Sequence, residues 1–278
     1  MNYRHAFHAG NFADLLKHAL LAELMAMLVA DARPLTVIDT HAGAGLYDLG
    51  GALAKKTGEA ERGIAVLMGD TAAPAAFDRL KAAVARANRR GGAQRFYPGS
   101  PLLIAHALRP RDTYIACEIR ADDNAALRGV LPREAGVQVL KADGWQTAIQ
   151  RAPAAPARAF VLIDPPFEAS DDHAAIVRTA SGVLRRNPGA VIAAWLPIKD
   201  LASWDVFLGD LEDAARGAPI LVAEVRLRPL SDPMKMNGCA LAVINPPPGL
   251  RQVGEAVGDW IASWLGEPGA AAKAFTVS

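Results

Sequence analysis

The chain is poor in cysteine, in aromatic rings and in any excess of charge. Its 278 residues hold two cysteines, Cys117 and Cys239. They stand far apart and share no metal-ligand spacing, so a disulfide framework and a thiolate metal site are both excluded. Buried thiols in a reducing cytoplasm, and no bound metal, are expected instead. Aromatic residues make up 6% of the chain against 51% hydrophobic residues. With alanine so abundant, much of the apolar content belongs in helices. Thirty Lys and Arg face 29 Asp and Glu, a net charge of +1. Bulk charge therefore does not mark a nucleic-acid partner, and any basic surface must be a local patch. No apolar run approaches the ~20 residues that a membrane helix needs. The start, Met1-Asn2-Tyr3-Arg4-His5, lacks the charged-then-apolar pattern of a secretory signal. A cytoplasmic protein with no membrane partner is expected. No internal repeat or low-complexity linker is visible. The length suits one large α/β domain, or one carrying an insertion.

What is present is a run of short apolar strands separated by helical patterns. Asn11 can cap a helix over residues 11–30, in which Leu15, Leu16, Ala19, Leu20, Leu24, Met27 and Leu28 recur at helical spacing. Arg33-Pro34 breaks it. Strands are expected at 35–39, 113–118, 137–143, 160–164, 190–196, 220–227 and 240–245. The alternation predicts a mostly parallel, doubly wound, Rossmann-like sheet with helices on both faces. Residues 46–95 contain no convincing buried strand. Their helical patterns at 60–69 and 74–90 read as a small helical subdomain inserted into a core of residues 1–45 and 96–265. Tyr97-Pro98-Gly99-Ser100-Pro101 reads as a turn, and the Gly/Ala-rich tail, 266–278, as frayed.

Four strands finish in a carboxylate, at Asp39, Glu118, Asp143 and Asp164. Ligands in such sheets bind outside the carboxyl ends of the strands. After Asp39 comes Thr40-His41-Ala42-Gly43-Ala44-Gly45, a glycine-rich turn whose small residues let backbone approach a ligand. It falls short of a dinucleotide fingerprint, and the next strand-end acid is far too distant for a plain βαβ unit. S-adenosylmethionine fits better: Glu118 suits its ribose hydroxyls, Asp143-Gly144 its adenine edge, and neighbouring carboxylates its sulfonium. The strand ending at Asp164 runs into Pro165-Pro166-Phe167. There a carboxylate and a carbonyl fixed by proline can accept the two N–H of an exocyclic amine, with an aromatic ring to stack on its base. At the N-terminus, Tyr3, Arg4, His5, Phe7 and His8 combine basic and aromatic side chains suited to bases and phosphates, and Asp14, Lys17 and His18 crowd one end of the following helix. Arg86, Arg89, Arg90 and Arg95, with Gly91-Gly92, could form a phosphate-binding rim.

Taken in order, Tyr3-Arg-His-Ala-Phe-His-Ala-Gly-Asn11 with Asp14, Lys17 and His18, then Asp39-Thr-His-Ala-Gly-Ala-Gly45, Tyr97-Pro-Gly-Ser-Pro101 and Asp164-Pro-Pro-Phe167 resemble the J-type large-subunit ribosomal RNA adenine-N6-methyltransferase family. The resemblance runs from residue 1 to about 250. It implies a class I S-adenosylmethionine-dependent fold with a helical insertion. It also implies methylation of N6 of adenine 2030 in 23S rRNA, the RNA partner. Carried over, cofactor contacts fall on His18, His41, Ser100, Glu118, Asp143 and Gly144, to which Lys17, Asp39 and Gly43 are added. Asp164 is expected to be catalytic and to lie beside the cofactor, and Pro165 and Phe167 to hold the base. Tyr3, Arg4 and His5 are expected near the RNA. Phe167 stands where the commoner motif has Tyr, a change that keeps the stacking ring. Asn245-Pro246-Pro247-Pro248 mimics the motif without its aromatic and reads as a structural strand end. Rival acceptors for the same loop are guanine N2 in rRNA, adenine in DNA and a protein glutamine amide. A non-catalytic nucleic-acid-binding protein concerned with DNA use is a rival of another class, and oxidoreductase chemistry stands third.

Overall fold

The computed structural model of the chain describes residues 4–89, 95–134, 136–232 and 234–277. A 3₁₀ turn at His5–Phe7 leads into helix α1, Phe12–Ala30. The Asn11 side chain accepts the Asp14 N–H and caps it, as its position in sequence predicts. Strand β1, Leu35–Asp39, follows, then β2, Leu46–Asp48. Helices α2, Ala52–Thr57, α3, Ile64–Gly69, and α4, Asp78–Ala87, come before β3, Phe96–Pro98. Next are α5, Ser100–Ala107, β4, Thr113–Cys117, α6, Ala121–Val130, β5, Val137–Leu140, α7, Gly144–Arg151, and β6, Arg158–Ile163. The chain closes with α8, Asp172–Arg186, β7, Val191–Ile198, α9, Leu201–Ala215, β8, Ile220–Arg226, β9, Gly238–Ile244, α10, Leu250–Leu265, and β10, Ala271–Val277.

The main sheet has the order β10-β8-β9-β7-β6-β1-β4-β5. Strands β5, β4, β1, β6 and β7 run parallel, whereas β9 is antiparallel to both its neighbours and β10 is antiparallel to β8. Side chains alternate across the sheet with a period of two, which builds two cores. Val37, Phe160 and Leu162 face α1, α5 and α10. Ile38, Val161 and Ile163 face α7, α8 and α9. Each fully buried aliphatic side chain of this kind contributes about 1.5–3 kcal/mol. Both cysteines are buried free thiols, and burial pushes Cys117 up to about 11.

Three expectations need correction. The tail is not frayed: β10 pairs along its whole length with β8, and Ala272 and Ala274 pack against Gly258 and Gly254 of α10. Tyr97 to Pro101 is not merely a turn. Tyr97 lies in β3, paired with Tyr47 of β2, and Ser100 begins α5 with proline inside its first turn. The segment between β1 and β3 is also not wholly helical, because β2 closes that two-stranded ribbon. Asn245 does behave as a structural strand end: at φ 54° its amide donates to the Pro188 and Ala190 carbonyls. No helix among the described residues is long and apolar enough to cross a membrane. Tyr3, Arg90, Gly91 and Gly92 lie outside the described residues.

Candidate active site

The carboxyl ends of β1, β4, β5, β6 and β7 open onto a cleft of about 720 Å3. On one side it is lined by His41, Gly43, Ser100, Glu118, Asp143 and Gly144, and on the other by Asp164, Pro165 and Phe167. Arg4, His5, Lys17 and His18 reach the same cleft from the N-terminal segment and α1. Among the described residues expected to hold the cofactor or the base, Asp39 is the exception. It is fully buried behind the wall and does not line the cleft.

On the first side, backbone packs against backbone. Gly43 has φ +64°, and a Cβ there would lie 2.4 Å from the Tyr47 hydroxyl. Its N–H donates to Glu118 Oε2 at 2.9 Å, while Glu118 Oε1 accepts the Arg120 N–H at 2.7 Å. Burial raises the Glu118 pKa against the pull of these two donors. The glycine loop is therefore pinned to the end of β4 by one carboxylate, which also lines the cleft. Asp143 caps α7 by accepting the Gln146 N–H at 3.1 Å. A Cβ on Gly144 would meet the Thr40 carbonyl at 1.9 Å. The glycine is thus required by the approach of α7 to the β1 loop, whatever else it does. His41 Nδ1 lies 2.8 Å from the Thr40 hydroxyl, and its ring stands edge-on to Trp145. Burial lowers the His41 pKa to about 4, so the ring is neutral.

Asp39 anchors this side from beneath. Its Oδ2 accepts Ser100 Oγ at 2.9 Å and the Tyr114 hydroxyl at 3.3 Å. Its buried Oδ1 has no hydrogen-bond partner among the described residues. Burial pushes the Asp39 carboxyl up to about 7, and Asp164 adds to the rise. A glycine loop and two rim carboxylates, with the Asp39 carboxyl buried behind the wall, fit a cationic nucleoside such as S-adenosylmethionine. Its hydroxyls and amines would meet Glu118 and Asp143, and the negative charge of Asp164 at the cleft and of Asp39 behind it would favour its cationic end.

The second side is held by a chain of charges. Lys17 Nζ donates to Asp164 Oδ2 at 2.6 Å and pairs with Asp14 Oδ1 at 3.0 Å. Asp14 Oδ2 lies 3.0 Å from His5 Nε2 and accepts the Gly10 N–H at 2.9 Å. Burial alone would raise the Asp14 pKa, but His5, Lys17 and His18 outweigh it and hold the carboxyl well below its ordinary value. Burial drives His18 down to about 3, and its neutral ring meets the Tyr97 hydroxyl at 2.8 Å. Lys17 and His18, expected at the cofactor, are thus wired to Asp164 and to β3 respectively. Phe167 sits at φ 51°, an unusual backbone for a ring-bearing residue. It packs against Trp195 at 5.6 Å and His173 at 5.5 Å.

Some lining residues escape a sequence reading. Trp195, Pro197 and Lys199 line the acceptor side, and Met236 joins them from the loop between β8 and β9. The period-two spacing of 195, 197 and 199 was the available signal, obscured because the strand reads as ending at 196. Arg4 is ion-paired with Asp122 at the start of α6. Arg86 and Arg89 are exposed and do not line the cleft, and Arg95 is paired with Asp48 at 2.8 Å. Among the described residues no group of three or more His, Cys, Asp or Glu is arranged to hold a metal ion.

Comparison with known proteins identifies relatives along nearly the whole chain. Ribosomal RNA large subunit methyltransferase J of Escherichia coli K12 is 36% identical over 265 residues, covering 95% of this chain and 94% of that one. The protein of the same name from Haemophilus influenzae is 32% identical over 278 residues, covering 95% and 99%. A Legionella pneumophila protein of known crystal structure superposes with a TM-score of 0.88 at 26% identity, covering 98% and 99%. The family profile described as ribosomal RNA large subunit methyltransferase D, RlmJ, matches residues 32–277, and the chain belongs to that family.

Proposed function

We propose that the protein transfers a methyl group from S-adenosylmethionine to N6 of a single adenine in 23S ribosomal RNA, the position numbered 2030. The observation that carries this reading is the meeting of Asp164, Pro165 and Phe167 with the glycine loop and Glu118 around one cleft. The bound cofactor supplies an electrophilic methyl on a sulfonium.

The chain's own residues do the rest. Duplex or stacked RNA keeps N6 out of reach, so the adenine flips into the cleft. Phe167, braced by Trp195, receives its face. Asp164 Oδ2 is occupied by Lys17, which leaves Oδ1 to accept one N6–H and the Pro165 carbonyl to accept the other. Acceptance in the ring plane turns the nitrogen lone pair out of that plane, towards the methyl. Adenine N6 is barely basic, so positioning and electrostatics supply most of the rate gain, and the proton leaves late, after the nitrogen has gained the methyl, passing to the Asp164 carboxylate and from it to water. Arg4 and His5, beside the cleft, suit the RNA backbone. The insertion between β2 and β3 extends the RNA-facing surface, with Arg86 and Arg89 exposed on it.

The deciding experiment supplies labelled S-adenosylmethionine and unmodified 23S rRNA, then digests the RNA and identifies the modified nucleoside. N6-methyladenosine at one site supports the reading. Label in N2-methylguanosine, in DNA adenine or in a protein amide transfers the chemistry to that acceptor. No label and no cofactor binding would favour the non-catalytic nucleic-acid-binding alternative. Asp164→Asn keeps the shape and loses the charge. Turnover is expected to fall at least a hundredfold, an estimate of the loss of one well-placed electrostatic contact, with cofactor still bound. Parental turnover in that variant would refute the role of Asp164.

A further inference from the structure

We propose that Lys199 is the phosphate anchor for the substrate nucleotide, held in place by the buried Asn237. The inference rests on the reading of the cleft as an RNA methylation site.

Ala194 of β7 stands opposite Ile163, the last residue of β6. Trp195 to Ile198 therefore run past Asp164 and extend the wall of the cleft outwards. Along this overshoot the side chains alternate. Leu196 and Ile198 turn into the core shared with α8 and α9. Trp195, Pro197 and Lys199 turn towards the cleft. The first is a ring against Phe167, the second a rigid apolar step, the third an exposed cation. That order, from deep to shallow, matches a flipped nucleotide: base innermost, sugar next, phosphate at the rim. A lysine at this point is a mobile point charge suited to a phosphate oxygen.

Lys199 makes no ion pair or side-chain hydrogen bond to any described residue. Asp200, its neighbour, is turned away, since both its carboxylate oxygens accept from Ser203 at 2.8 Å. The backbone, by contrast, is fixed. Asn237 is fully buried, and its amide donates to the Lys199 carbonyl at 2.9 Å and to the Asp232 carbonyl at 2.7 Å. Its own N–H donates to the Ile198 carbonyl at 2.9 Å. One residue thus ties the end of β7 to the loop that carries Met236, which also lines the cleft. A free cation on a fixed backbone at the mouth of an active cleft is the arrangement a phosphate contact needs, and no packing role in the fold accounts for the charge.

The test is steady-state methylation of unmodified 23S rRNA by the full chain, across a series of salt concentrations. Lys199→Ala is expected to raise KM for RNA about fivefold, with a smaller change in kcat. It should also reduce the slope of log(kcat/KM) against log[salt] by about 0.7, the share of one phosphate on a single strand. Lys199→Arg should restore both, and Lys199→Glu should exceed Ala in KM. Affinity for S-adenosylmethionine, read by calorimetry, should be parental in all three. Asn237→Ser, confirmed folded by circular dichroism, should raise KM without reducing the salt slope, because the charge remains. A parental KM and slope in Lys199→Ala, with the parent active, would overturn the anchor alone. A parent that does not methylate this RNA would overturn both the anchor and the reading beneath it.

Discussion

Asp39 is a buried acid that joins the end of β1 to the helix and strand behind the candidate site. It is fully buried, it orients Ser100 and Tyr114, and its Oδ1 has no partner among the described residues. Burial lifts its carboxyl to about 7, against about 3.9 in an unfolded chain. An acid whose pKa is raised by folding costs stability once it must ionise. The parent should therefore lose stability as pH rises from about 4 to about 7, then level off. Asp39→Asn keeps an acceptor for Ser100 and carries no charge to bury. Its advantage over the parent should grow across that window and reach on the order of 4 kcal/mol at pH 8. The same variant should bind S-adenosylmethionine more weakly at pH 8 and nearly as well at pH 5.5, where the parental carboxyl is itself protonated. Urea melts and calorimetry at the two pH values measure both. An Asp39→Asn variant no more stable than the parent at pH 8 would mean that Asp39 carries no buried charge.

At the scale of elements, β10 is the piece whose importance sequence conceals most. Its alanines look like a low-complexity tail, yet their smallness is what lets α10 lie close. Ala272 approaches Gly258 and Ala274 approaches Gly254, at 3.0 and 3.5 Å from where a Cβ would stand. Removing residues 267–278 would strip seven backbone pairs from β8 and leave that strand as an open edge. The melting temperature should drop by about 5–10 °C, and light scattering should detect association. A truncated chain with the parental midpoint would show that β10 adds nothing. The other strands were legible because each is a short apolar run bounded by Pro, Gly or a carboxylate. The ribbon of β2 and β3 was not, since Leu46-Tyr47-Asp48 is too short to display a period. The lining of the candidate site was legible wherever a motif marked it: Asp164 to Phe167, the glycine loop and Glu118 all border one cleft. What sequence could not give is pairing across distance. Lys17 meets Asp164 only because α1 crosses the end of β6. Asp39, expected at the cofactor, lies behind Ser100, a matter of which side of a strand a residue faces.

For the molecule as a whole, the insertion and the N-terminal segment depend on each other. Glu59, between α2 and α3, receives the His8 ring at 3.0 Å and the Asn11 amide at 2.9 Å, while the Thr57 hydroxyl donates to the Phe7 carbonyl at 2.6 Å. The inserted helices thus hold the segment that brings Arg4 and His5 to the cleft. The hydrogen bond to Glu59 leads the causes that raise the His8 pKa. A histidine raised by folding contributes its full stabilisation below its ordinary value near 6.5, and loses it as pH climbs through the raised folded value. The pair is partly exposed, so the effect is below about 1 kcal/mol. It should nonetheless register locally. In Glu59→Gln, amides of residues 7–11 should exchange hydrogen up to about fivefold faster than in the parent at pH 6, the factor that free energy allows. The ratio should shrink towards unity by pH 9, where His8 is neutral in both proteins, apart from what the Asn11 bond still contributes. A ratio that stays constant from pH 6 to 9 would mean that the charge on His8 plays no part in holding the segment. The hydrogen bonds of Thr57 and Asn11 would then be what fastens the N-terminus to the insertion.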